Sequence, residues 1–126
     1  MQEAYIVDAV RTPFGKQGGS FKDTHPQDLA AEPLLALEER NGFTGSEDIE
    51  DVIYGCVTPT DDQANNIGRL APMVAGWGDD VPGVQLDRMC GSGQQAINFA
   101  AAQVGAGAHD VIIGGGIEHM TRVPMG

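Results

Sequence analysis

The residue in this chain best placed to do covalent chemistry is Cys90. It sits in Val84-Gln85-Leu86-Asp87-Arg88-Met89-Cys90-Gly91-Ser92-Gly93-Gln94-Gln95-Ala96, where an extended apolar run turns through glycines into a helix. Such a turn holds a side chain in the open at the C-terminal end of a strand. The first helical N–H groups then face that side chain, stabilise a thiolate and can bind a developing oxyanion. Glycines at 91 and 93 keep Cβ atoms away from whatever approaches the sulfur. The pattern describes a nucleophile that a substrate carbonyl can reach.

A free cysteine is also among the most interior of residue types, so an inert core thiol is the competing reading. The glycines and the serine at a helix start argue against it for Cys90. No turn chemistry of that kind surrounds Cys56, which lies in Asp51-Val52-Ile53-Tyr54-Gly55-Cys56-Val57, a short strand, and reads as a core side chain. The run Gly91 to Ala96 also satisfies G-x-G-x-x-A, the turn of a dinucleotide-binding unit, with Glu118 after the next strand as the ribose acid. Against this, the pattern falls on the third strand instead of the first and leaves Cys90 without a purpose. His119 could approach Cys90 as a base, or could line or support the site. His25, before Pro26, and His109 read as surface or capping residues.

The elements that must position Cys90 alternate along the chain. Ala4 to Arg11 reads as a first strand stopped by Pro13, followed by a glycine-rich loop over 15–19. Thr24 is the expected N-cap of a helix running toward Arg40 and ended by Asn41-Gly42, with Pro33 predicting a kink or a late start. Asp51 to Val57 is a second strand, and Gln63 to Ala75 a helix interrupted by Pro72. Val84 to Met89 is the third strand, Ser92 to Ala108 the third helix, and Val111 to Ile113 opens a fourth strand running into Gly114-Gly115-Gly116. This alternation predicts an α/β fold with a largely parallel sheet and helices on both faces.

From Gly91 to Ala108 no residue is charged, in a chain that is 20% charged. Ala100, Ala101, Ala102, Gly105, Ala106 and Gly107 make that helix small on almost every side. An ordinary domain leaves one side of such a helix wet and polar. The sequence therefore expects another layer over it, from elsewhere in the protein or from a second subunit.

With 126 residues, 41% of them hydrophobic, the chain suits a single globular domain. Two cysteines without a signal-like leader argue for a reducing cytoplasm and no structural disulfide. No apolar run approaches a membrane span, so no membrane partner is expected. A net charge of −11, with Lys16 and Lys22 the only lysines, repels nucleic acid. The acids gather in Glu38-Glu39, Glu47-Asp48, Glu50-Asp51, Asp61-Asp62 and Asp79-Asp80. That is the pattern of a solvated face or of a surface adapted to high salt.

Taken in order, the motifs resemble the N-terminal portion of thiolases, the acetyl-CoA acetyl- and acyltransferases. Ile6-Val7-Asp8-Ala9-Val10-Arg11-Thr12-Pro13-Phe14-Gly15 is similar to the family's opening segment. Gln63, Asn66 and Arg69 follow. Arg88-Met89-Cys90-Gly91-Ser92-Gly93 and Gly114-Gly115-Gly116-Ile117-Glu118-His119-Met120-Thr121 carry the strongest likeness. The resemblance implies a thiolase N-terminal domain over 1–119, incomplete, with 120–126 the start of a truncated loop region. It implies the N-terminal half of a layered αβαβα architecture.

It also implies Cys90 as the acyl-accepting nucleophile, with its backbone N–H in an oxyanion hole. The implied reaction is ping-pong transfer between acyl-CoA and CoA or an acetyl-CoA enolate, in a homo-oligomer when complete. CoA thioesters are the substrates, and no cofactor or metal is implied. The family's histidine base, second cysteine and water-holding asparagine belong to a second half whose motifs are absent from these residues. The histidine base and the second acid/base residue are therefore expected outside this chain, and the chain alone should be inactive. A short non-catalytic or split-enzyme subunit paired with a second half is the alternative. Asp87 departs from the family's usual asparagine, and a carboxylate there would oppose a thiolate at Cys90 unless Arg88 balances it.

Overall fold

A computed structural model describes all 126 residues. Its sheet has three parallel strands in the order β2-β1-β3, formed by β1 (Asp51–Gly55), β2 (Gly83–Leu86) and β3 (Ile112–Gly116). Val52 pairs with Gly83 on one side and with Ile113 on the other. β1 is central because Val52, Ile53 and Tyr54 are β-prone and buried on both faces, the pattern of a strand covered on both sides.

The two-residue period of β1 builds two cores. Val52, Tyr54 and Cys56 face α1 (Pro26–Asn41) and α3 (Ile67–Val74), packing with Ala30, Leu34, Ile67 and Ala71 and with Trp77 and Val81. Ile53 faces the other way, onto Ala96 and Ala100 of α4 (Ser92–Gly105). The helices thus lie on both faces of a parallel sheet, as the alternation of the sequence predicted. A four-residue helical turn, α2 (Gly45–Asp48), leads into β1. Trp77 lies flat over Gly45, where an added Cβ would stand 2.0 Å from the indole ring.

The expected first strand is absent. Residues 4–11 have no strand conformation, and none of them shares a backbone hydrogen bond with the rest of the fold; the bond of Gln2 N–H to the Gly105 carbonyl lies just before them. A strand exists through its ladder, and no edge of this sheet receives these residues. Their β-prone side chains stand open, with Tyr5 76% and Val7 87% exposed. The cap of α1 is His25, whose Nδ1 accepts the Gln27 N–H at 3.2 Å, and not Thr24. Pro33 neither delays nor splits α1, because the burial of Ala30, Ala31 and Leu34 on the same helix offsets the lost bond.

The second helix begins late, at Ile67. Gln63 belongs to a separate turn over Asp61–Gln63, and Asn65 and Asn66 take left-handed φ of 64° and 62°, which asparagine tolerates. The third strand stops at Leu86, before the turn that carries Cys90. α4 stops at Gly105, three residues early. Gly107, at φ 76°, donates to the Val104 carbonyl, and Ala108 donates to the Gln103 carbonyl. This paired closure requires the left-handed residue that glycine supplies.

The last strand runs through Gly114-Gly115-Gly116, as the sequence predicted. A Cβ on Gly114 would meet Ile97 Cα at 2.8 Å, so glycine there lets α4 sit directly on β3. α4 is not enclosed on every side. Its inner face is buried at Ser92, Ala96 and Ala100, while Ile97 and Phe99 are 45% and 48% exposed. The uncharged sequence of α4 therefore leaves an apolar outer face. No helix in the chain is long and apolar enough to cross a membrane.

Candidate active site

The carboxyl ends of the three parallel strands meet at one edge of the sheet, and Cys90 stands there. Its side chain is exposed, and the connection from β2 to α4 is only Asp87 to Gly91. Met89 adopts a left-handed φ of 50°, which for a residue of this shape costs about 1–2 kcal/mol. Three bonds hold it there. The Asp87 Oδ1 accepts the Met89 N–H at 2.8 Å. The Ser92 Oγ donates to the Met89 carbonyl at 2.6 Å and accepts the Arg88 N–H at 2.8 Å. The Ser92 N–H also reaches the Met89 carbonyl, at 3.1 Å.

α4 begins at Ser92 with no side-chain cap. The backbone N–H groups of Cys90, Gly93 and Gln94 donate to no acceptor in the chain. They are donors of the kind that stabilise a thiolate or an oxyanion at a helix start. A Cβ on Gly93 would meet nothing within 4 Å, so that side of the turn is open. An open cleft of about 230 Å³ adjoins it, lined by Arg88, Gly91, Gln94, Gln95 and Asn98, all of them polar residues or glycine.

The turn is seated on β1 at Gly55. A Cβ there would lie 2.4 Å from the Ser92 carbonyl carbon and 2.6 Å from the Gly93 nitrogen. Only glycine lets the strand and the helix start come this close. The next residue is Cys56, 1% exposed, whose N–H donates to the Leu86 carbonyl at 3.0 Å. Burial, with help from the charges of Glu118 and Asp87, pushes the Cys56 thiol up to about 11. The core reading of Cys56 agrees with this placement, and the two thiols sit at adjacent strand ends in opposite environments.

The histidine reading resolves in favour of support. His119 is buried; its Nε2 lies 2.8 Å from the Phe21 carbonyl and its Nδ1 accepts the Arg122 N–H at 3.3 Å. A carbonyl can only accept and a backbone N–H can only donate, so the ring is the neutral Nε2–H tautomer with both nitrogens engaged. It has no lone pair left to take a proton from Cys90. His109 pairs with Glu50 at 3.2 Å and His25 faces Asp62 at 3.6 Å, both as surface contacts near helix ends.

Sequence reasoning missed a buried polar network beside the site. Gln63, fully buried, donates its amide to the Thr58 carbonyl at 2.8 Å and to Glu118 Oε1 at 3.2 Å, and its Oε1 accepts the His119 N–H at 2.6 Å. Glu118 Oε2 accepts the Val57 N–H at 2.7 Å. The network ties the exit of β1 to the exit of β3. It also engages both Glu118 oxygens with groups of the fold, which assigns the carboxylate a structural task in place of the ribose acid of the dinucleotide-binding alternative.

Arg88 does not balance Asp87. Its guanidinium hydrogen-bonds Gln95 Oε1, and no basic group pairs with the Asp87 carboxylate. Two of the acids expected on a solvated face are structural as well: Glu38 accepts the Gly45 N–H and the Trp77 Nε1–H, and Glu50 accepts the Asp110 N–H.

The family model for the thiolase N-terminal domain matches residues 4–126. The chain is 46% identical over 125 residues to the steroid 3-ketoacyl-CoA thiolase of Mycobacterium tuberculosis, covering 99% of this chain and 30% of that protein. It is 43% identical over 124 residues to the beta-ketoadipyl-CoA thiolase of Acinetobacter baylyi, covering 98% of this chain and 31% of that protein. Among solved structures, the Bacillus anthracis acetyl-CoA acetyltransferase superimposes with a TM-score of 0.82 at 38% identity, over 89% of this chain and 28% of that one. The chain thus spans just under a third of the length of these relatives.

Proposed function

The chain belongs to the thiolase family, matched along its N-terminal domain, and on that premise we propose that Cys90 accepts an acyl group in transfer between CoA thioesters. The Cys90 thiolate attacks the thioester carbonyl, and the oxygen takes up negative charge among the free N–H groups of the turn. Collapse of this tetrahedral species breaks the carbon–sulfur bond to CoA and leaves an S-acyl cysteine, with CoA departing as the thiol once protonated. In the second half-reaction either CoA thiol or the carbanion of acetyl-CoA attacks the acyl cysteine and restores the free thiol.

The names of the relatives support the reverse direction on a 3-ketoacyl-CoA: the Cys90 thiolate attacks the 3-keto carbonyl, the C2–C3 bond breaks, acetyl-CoA leaves once its C2 is protonated, and CoA thiol then takes the shortened acyl group from Cys90. The proton transfers in these steps need groups from outside these residues, because His119 is fully bonded and no other histidine approaches the turn.

The observation that carries this reading is the exposed Cys90 thiol on a strained turn whose N–H donors at Cys90, Gly93 and Gln94 are unfilled. Incubation with an acyl-CoA, digestion and weighing of the peptides tests it. The acyl mass should fall on the Cys90 peptide. A label on Cys56, or transfer that persists in Cys90→Ala, overturns it.

A further inference from the structure

The left-handed residue before Cys90 is a conformation that an unbranched, non-glycine side chain adopts only when its surroundings impose it. Nothing in Met89 itself favours it, and the side chain is 72% exposed, so packing does not impose it either. What remains is hydrogen bonding. The Asp87 carboxylate closes a ring to the N–H two residues on, and the buried Ser92 hydroxyl holds the carbonyl from the other side. Together they grip both polar groups of one backbone unit.

We propose that Asp87 and Ser92 are positioning residues for the Cys90 thiol, acting through the left-handed backbone of Met89. The inference gives the acyl-transfer reading a physical support, but its central claim concerns only where the thiol is held. If Met89 relaxes to a right-handed or extended conformation, the chain direction at Cys90 changes and the thiol is displaced relative to the start of α4, where the N–H groups of Gly93 and Gln94 are free. Ser92 is at the same time the residue whose backbone Gly55 accommodates, so the Cα carrying its hydroxyl is fixed against the sheet. Asp87 is exposed, and its hold is the part that can be removed without opening the core.

The test measures two rates on Cys90 of this chain by mass spectrometry: alkylation by iodoacetamide and single-turnover acetylation by acetyl-CoA. Asp87→Asn removes the carboxylate charge but keeps an oxygen acceptor for the Met89 N–H, so it is the reference: Asp87→Ala should alkylate about tenfold more slowly than Asp87→Asn, the size expected for loss of that hydrogen bond. In a Met89→Asn background, where the residue tolerates the left-handed region by itself, Asp87→Ala should cost less than about threefold. A role in general stability would give equal losses in both backgrounds.

Cys56 serves as the internal control. If Asp87→Ala exposes Cys56 to alkylation, the sheet has opened and the local role is overturned. Equal alkylation of Cys90 in Asp87→Ala and Asp87→Asn overturns it too, as does an equal Asp87→Ala loss with methionine or asparagine at 89. If acetyl-CoA leaves Cys90 unmodified in the complete enzyme as well as in this chain while the alkylation pattern holds, positioning stands and the acyl-transfer reading fails.

Discussion

Two cysteines stand at the ends of adjacent strands, and everything around them differs. Cys56 follows β1 in register, its side chain falls on the α1/α3 face, and burial pushes its thiol up to about 11. Cys90 follows β2 after three residues outside the strand, one of them left-handed, and its side chain is exposed. A thiol becomes a candidate nucleophile through the turn that carries it. Continuing a strand buries the sulfur, while breaking the strand with a strained residue and starting a helix at once presents it beside unfilled N–H groups.

Substitution at each cysteine breaks this contrast most directly. Cys90→Ala should leave no acyl transfer above the uncatalysed rate in the complete enzyme while leaving the melting temperature near that of the parent. Cys56→Ala should do the reverse, retaining transfer and destabilising by about 1–2 kcal/mol through the lost packing. Activity assays paired with thermal melts check both, and a Cys56→Ala variant that folds but cannot transfer would end the distinction.

Gly55→Ala attacks the seat that the two regions share. Its Cβ would collide with the backbone of Ser92 and Gly93, so α4 must move off β1. Overpacking of this kind costs about 1–3 kcal/mol. Denaturant melts should show that loss together with slower alkylation of Cys90. An unaltered Cys90 rate in a destabilised Gly55→Ala chain would separate the two regions.

The buried thiol also makes a prediction about pH. Its folded value lies above the ordinary 9.0, so unfolding releases a proton once the pH passes that value. Stability from this group is complete below pH 9 and falls as the pH rises toward 11. Tyr54, likewise raised by burial, extends the fall above pH 10. Denaturation midpoints measured from pH 8 to 11 should decline, and Cys56→Val should flatten the lower part of that decline.

The smallest effect concerns the surface around both regions. With a net charge of −11, self-repulsion opposes the folded state and salt screens it, the Debye length falling to about 3 Å at 1 M. The melting temperature should rise with potassium chloride. A chain equally stable in dilute and molar salt would count against a salt-adapted surface.

Much of the site was legible because local rules govern it. Glycines and a serine where a strand meets a helix mark a thiol held in the open, and their absence marks the buried one. The alternation of strands and helices gave a parallel sheet covered on both faces, and the family motifs could be read residue by residue. Other features depend on partners distant in sequence. Ala4 to Arg11 has every propensity of a strand, but a strand exists through its ladder, and these residues pair with neither outer edge of the sheet. His119 and Glu118 have the right types for catalysis, yet Phe21, Gln63, Val57 and Arg122 occupy their polar atoms.

By itself the sequence determined which side chains carry chemistry and where the chain must turn, since both follow from residue type and short spacing. Only the tertiary structure decided that Gly55 serves as the seat of the nucleophile's helix, that Met89 is held left-handed, and that one face of α4 is bare. Each of these is set by contacts between segments brought together by the sheet, and no local pattern encodes such contacts.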